Sequence, residues 1–176
     1  MTNSPDRLAD VEIRPVEPGE CQRAGRVTAL AYQEFVPRDP SPGWVEYLDS
    51  IADIAGRVDR TSVLVAIEDG RILGTATVEI DATIGDDDRD LPSDVAALRM
   101  LGVDPSVRRA GIGRALVEAS MNAARARGKR RFILRTTSRM TSAQRLYESM
   151  GFLRDPSLDM SFPDVELLGY RIDLDA

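Results

Sequence analysis

Histidine is absent from the 176 residues. That removes Ser-His and Cys-His nucleophilic catalysis, the common histidine metal sites and any histidine general base. The single cysteine, Cys21, can form neither an intramolecular disulfide nor a thiolate cluster, and its place in a helix-like run reads as a packed small hydrophobe. No segment approaches the roughly 18 apolar residues of a membrane span, so no membrane partner is expected. Met1-Thr2-Asn3-Ser4-Pro5-Asp6 has no basic stretch leading into an apolar one, so no secretory signal is read and a cytoplasmic location is expected. Few chemistries are left.

What is present is ordinary for a globular domain, 43% hydrophobic and 30% charged, and long enough for a substantial core. One domain is expected over 1–176, with residues 1–10 as a flexible lead. The net charge of −6 hides an asymmetry. Residues 108–135 hold nine Lys or Arg and one acid, Glu118, whereas the rest of the chain is strongly acidic. A basic island in an acidic protein suits a compact polyanion better than nucleic acid, whose long backbone the remaining surface would repel. The plainer alternative is a solvated helix face.

Val11 to Val16 alternates as a first strand, and Cys21, Ala24, Val27 and Ala31 then recur at helical spacing up to the proline-rich run after Phe35. A second helix is expected from a Ser41-Pro42 start, with Trp44, Tyr47, Leu48, Ile51, Ala55 and Val58 as its stripe. Asp69-Gly70 separates two β-rich runs and reads as a hairpin turn. Residues 81–94, with Asp86-Asp87-Asp88, Asp90 and Pro92, read as a loop, whose acids are either simply solvated or an attraction for a cationic substrate. A strand to Val103, a helix closed by Gly128, a strand from Phe132, a short helix opened by a Thr141…Gln144 capping box and two final strands complete the order. The expected fold is mixed α/β (α+β): a largely antiparallel sheet of about seven strands flanked by about four helices.

The chemistry concentrates after Val103, where Asp104-Pro105 leads into Arg108-Arg109-Ala110-Gly111-Ile112-Gly113-Arg114 and an amphipathic helix. Amides at a helix N-terminus lack intrahelical partners and sit at the positive end of its dipole, and glycines let an anion approach them. A P-loop fails, because Gly113 is followed by Arg114-Ala115 rather than Lys-Ser/Thr. A dinucleotide fingerprint fails as well, because Leu116 stands where its third glycine belongs.

Arg108-Arg109-Ala110-Gly111-Ile112-Gly113, followed by Ala143-Gln144-Arg145-Leu146-Tyr147-Glu148-Ser149-Met150-Gly151-Phe152, resembles the GNAT superfamily of N-acetyltransferases. The specific motifs lie within 97–152, while the order of elements matches over nearly the whole chain. The resemblance implies acetyl-CoA as acetyl donor, with its pantetheine arm on Leu101, Gly102 and Val103 and its diphosphate on Arg108, Arg109, Ala110, Gly111, Ile112, Gly113 and Arg114. Ala143 would be a further cofactor contact. An amide in the 101–103 region would supply the oxyanion donor. Tyr147 resembles the family's tyrosine beside the thioester sulfur, and its other reading is an aromatic core residue.

A departure concerns the general base. Where many relatives carry a glutamate this chain has Ala97, Leu98 and Arg99, so Glu79 is the substitute, against a plain pairing residue or a water chain. The family's frequent asparagine before the second motif is also missing. No metal is expected. The implied activity is direct acetyl transfer to a primary amine, with a non-catalytic acyl-CoA-binding module as the alternative. The acidic surface favours a cationic acceptor, and a homodimer through the late strands stays open.

Overall fold

The computed structural model describes residues 8, 10–82, 91–108 and 110–174. Among these the chain forms β1 (Glu12–Pro15), α1 (Cys21–Tyr32), α2 (Pro42–Ala52), β2 (Ser62–Glu68) and β3 (Arg71–Glu79). There follow β4 (Val95–Val103), α3 (Ile112–Ala126), β5 (Arg131–Thr137), α4 (Thr141–Ser149), β6 (Leu153–Arg154), β7 (Met160–Phe162) and β8 (Val165–Asp173). The expected mixed fold is present with β7 added. That strand lacks a sequence signal because it is three residues long, pairs only with β8 and leaves Phe162 exposed. Among the described residues no helix is long and apolar enough to cross a membrane.

Two compact units divide the chain, Met1–Thr77 with Met100–Ala119, and Val78–Arg99 with Ser120–Ala176. In the first unit the strands run in the order β1-β2-β3-β4. Asp69 (φ 48°) and Gly70 (φ 74°) give the β2–β3 turn the two positive φ values of a tight hairpin. Val16, Cys21, Ala24, Ile54, Val63, Val65, Ile67 and Ile72 form one buried cluster, so Cys21 is the packed hydrophobe expected of it. Each large aliphatic member contributes about 1.5–3 kcal/mol by leaving water. Helix α1 lies so close to β4 that a Cβ on Gly102 would come 3.1 Å from Ala31 Cβ and 3.2 Å from Thr28 Cα.

Helix α2 stops six residues before Val58. The Arg57 guanidinium, buried, donates to Ser50 O (2.6 Å), Asp53 O (2.9 Å), Ile51 O (2.9 Å) and Thr77 Oγ1 (3.2 Å). It collects the carbonyls that a continuing helix would have used, so Ala55 and Val58 follow in a turn rather than on the helix stripe. Ser41 precedes α2 with Pro42 in the first turn, as expected, but its side chain makes no capping bond.

In the second unit the order is β4-β5-β8-β6, with β7 also on β8. Ala82, Val95, Ala97, Ile133 and Leu158 are its buried cluster. Strands β4 and β5 pair in parallel over four rungs, from Val95–Arg131 to Leu98–Leu134. On its other edge β5 pairs antiparallel with β8 along its whole length, from Arg131–Asp173 to Thr137–Leu167. After α3, Gly128 (φ 72°) donates to Arg125 O and Lys129 to Ala124 O, the two bonds of a Schellman cap. The capping box expected at Thr141 does not form. Met140 takes the cap position, and the Gln144 amide donates instead to Thr137 O (3.0 Å) and Ser138 O (3.2 Å), which ties α4 to the end of β5.

Candidate active site

In the first unit β4 ends in a turn built around one carboxylate. Asp104 accepts from Ser106 N (2.9 Å), Ser106 Oγ (2.7 Å) and Arg71 Nη2 (2.6 Å), while its own amide donates to Leu73 O (2.8 Å). Burial pushes this carboxyl upward, and the bonds from Ser106 and Arg71 outweigh it, so the group is held below the usual carboxylate range. Asp104 thereby closes the 3₁₀ turn Pro105–Val107 and sets the direction in which the chain leaves toward Gly111.

Gly111 adopts φ 83°, a conformation that other residues rarely take, and α3 begins at the next residue. Ala115 N–H donates to Gly111 O (3.0 Å), so the amides of Ile112 and Gly113 belong to the first turn, where a helix offers them no acceptor. A side chain on Gly111 would meet Leu8 Cδ1 at 2.5 Å. Leu101 and Val103 are half-buried and Gly102 is buried under α1. Ala110 is half-buried and Arg114 exposed, reaching Glu118 at 3.9 Å. Arg109 lies outside the described residues, as do Asp86-Asp87-Asp88 and Asp90 of the acidic loop. Arg108 turns back to α1, with Nη1 2.5 Å from Glu34 Oε1 and Nη2 3.5 Å from Ala31 O.

In the second unit Glu79 ends β3, and its Oε2 lies 2.7 Å from Arg99 Nε. The residue that departs from the family pattern is therefore the partner of its substitute. Ala143 is half-buried in the first turn of α4. One turn further on, Tyr147 is buried, its ring 5.8 Å from Phe152 and 6.2 Å from Tyr170 between centroids. Burial pushes its phenol well above the usual tyrosine range, so it stays protonated and can act only as a donor or neutral acceptor. Tyr170 donates to Glu148 Oε1 (3.2 Å), which fixes the ring beside Tyr147.

Two features escaped sequence reading. Asp104-Pro105-Ser106 carries the signal of an Asx-type turn, which identifies Asp104 as the loop's anchor. The pairing of Arg108 with Glu34 joins residues 74 positions apart and has no local signal.

The model of the family described as "Acetyltransferase (GNAT) family" matches residues 26–152. A mycothiol acetyltransferase of Thermobispora bispora is 28% identical over 156 residues, 86% of this chain and 49% of that protein. The chain thus spans about half the length of that relative. An acetyltransferase of the GNAT family from Staphylococcus aureus superposes with a TM-score of 0.71 at 18% identity, covering 94% of this chain and 99% of that one. The PaiA N-acetyltransferase of Thermoplasma acidophilum, solved with coenzyme A, superposes with 0.68 at 13% identity, covering 92% and 99%. Both show the same fold.

Proposed function

The chain belongs to the GNAT acetyltransferase family, and on that premise we propose that it moves the acetyl group of acetyl-CoA to a primary amine of a small molecule or peptide by direct attack. The observation that carries this reading is Gly111 at φ 83° opening α3, behind a turn that Asp104 closes. The amides of Ala110, Gly111, Ile112, Gly113 and Arg114 then face the diphosphate, with Arg109 adding charge and Arg108 doing so only on leaving Glu34. Leu101, Gly102 and Val103 offer strand-type bonds to the peptide-like arm, and Ala143 is a further contact.

In the transfer the amine nitrogen bonds to the acyl carbon, the carbon–sulfur bond breaks and sulfur departs with its electron pair. Tyr147 donates a hydrogen bond to that sulfur. A phenol held above its ordinary value by burial is a weaker acid than a thiol, so stabilising the developing thiolate is easier for it than full protonation. Glu79, oriented by Arg99, takes the proton released by the amine, directly or through water. Cys21 is buried in the core and carries no acyl group.

The same reading treats residues 1–176 as one cytoplasmic domain that uses no metal. It takes a cationic amine as acceptor, in keeping with the net charge of −6. Subunit pairing through the late strands is open to a sizing experiment. Thiol release from acetyl-CoA across an amine panel tests the activity. Tyr147→Phe is expected to lower kcat by about 10–100-fold with CoA affinity retained. Thiol release that no amine accelerates would support a binding module instead.

A further inference from the structure

Arg108 stands between two acceptors. As part of the glycine loop it would add charge to the diphosphate site, yet its side chain is spent on the end of α1. Helix α1 is pressed onto β4, where a Cβ on Gly102 would meet Ala31 Cβ at 3.1 Å, and the Asp104 turn then leads directly to Arg108. The arginine therefore emerges beside the last turn of α1 and the 3₁₀ turn Gln33–Phe35 that follows it. Its Nη1 lies 2.5 Å from Glu34 Oε1, and its Nη2 lies 3.5 Å from Ala31 O. A helix C-terminus is the negative end of its dipole, so this carbonyl and the carboxylate attract the guanidinium together.

A guanidinium held in this way cannot also fork onto an anion at Gly111 and the first turn of α3. Both of its terminal nitrogens are directed at α1, and the carboxylate in contact cancels the charge that would draw a diphosphate. The two side chains are 39% and 47% exposed, which places the pair among surface ion pairs. Such a pair is weak enough for a more highly charged diphosphate to displace, and strong enough to lower the affinity of whatever displaces it.

We propose that Glu34 is a determinant of donor affinity: it competes with the diphosphate of acyl-CoA for Arg108, holding the arginine on α1 in the free protein and yielding it when the donor binds. This rests on the reading of the Gly111 loop as the diphosphate site. A glutamine at position 34 would leave Arg108 free for the anion, so glutamate there weakens the hold on the donor. Acetyl-CoA and CoA carry the same diphosphate, so donor and product are weakened alike. The opposite role, a support that pre-sets Arg108 for the anion, requires the opposite sign.

The test is calorimetric titration of CoA and of acetyl-CoA into wild type, Glu34→Gln, Arg108→Gln and the double variant, at about 0.05 M and about 0.5 M salt. Glu34→Gln is expected to bind both ligands about 2–5-fold more tightly than wild type at low salt, with the gain fading at high salt. In the Arg108→Gln background the same substitution should change nothing, because the arginine competed for is gone. A gain in affinity on removing a side-chain contact, confined to chains that keep Arg108, is not what a merely structural glutamate produces. Affinity in Glu34→Gln equal to or weaker than wild type, or a gain that persists without Arg108, overturns the proposal. If wild type takes up neither ligand, the functional reading falls and this one with it, whereas uptake by wild type with no gain in Glu34→Gln removes the role of Glu34 alone.

Discussion

Arg99 Nε lies 2.7 Å from Glu79 Oε2, with both side chains 21% exposed, so a guanidinium already orients the carboxylate at the end of β3. The pair is part-buried, so removing either partner is read in a thermal melt as well as in turnover. Glu79→Gln is expected to lower kcat by about 10–100-fold while the Kd for CoA stays put. Arg99→Gln, which keeps the carboxylate and removes its guanidinium partner, should lose less. Wild-type turnover in Glu79→Gln would reduce the carboxylate to a pairing residue.

Gly111 is the loop position whose backbone calls for glycine. Its φ of 83° strains any L side chain, whereas Leu8 Cδ1, which a Cβ would meet at 2.5 Å, is the end of an exposed side chain that can move aside. Gly111→Ala should therefore lose CoA affinity by an order of magnitude or more, at a stability cost of about 1–2 kcal/mol. Titration calorimetry beside a thermal melt separates the two effects, and retained affinity would remove the cradle from this loop.

Arg57 is a structural prediction of the opposite kind. Three carbonyls and a threonine hydroxyl depend on its guanidinium, and a buried acceptor left without a donor costs about 1–3 kcal/mol. Arg57→Leu should lower Tm by roughly 10 °C, since about 1 kcal/mol corresponds to about 2–4 °C in a chain of this size. Arg57→Lys, with one point charge in place of a fork, should fall between. A melt unchanged in both variants would show that the end of α2 holds without this residue.

Acid should loosen the first unit through Glu20. Two bonds from the Arg14 guanidinium (2.8 and 2.9 Å) pull its carboxyl from the ordinary 4.5 down to about 2. On acidification the unfolded chain takes up this proton first. The pair's contribution is therefore complete above about pH 4.5 and is lost as pH falls from there toward about 2. The Tm difference between wild type and Glu20→Gln should shrink steadily over that range. A difference that widens on acidification contradicts the assignment.

Much of the fold was legible because its signals are local. Asp69-Gly70 specifies a tight hairpin by φ alone, Gly128 a helix stop, and Gly111-Ile112 a loop opening a helix, and each formed as read. Errors arose where a distant group took over a local preference. Arg57 drew away the carbonyls that would have carried α2 on to Val58, and the end of β5 drew Gln144 out of its capping box. β7 was missed because its three residues, two of them exposed, carry no periodicity.

The sequence by itself determined the class of chemistry. A histidine-free chain with one cysteine leaves few catalytic devices, and glycines before an amphipathic helix predict an anion-binding loop through backbone geometry that neighbouring residues impose. Only the tertiary structure decided what each side chain faces. That Glu79 meets Arg99, that Arg108 turns to Glu34 and that Tyr170 packs beside Tyr147 are consequences of strand register and helix docking. Such pairings join positions far apart in the chain, and no local pattern of residues encodes them.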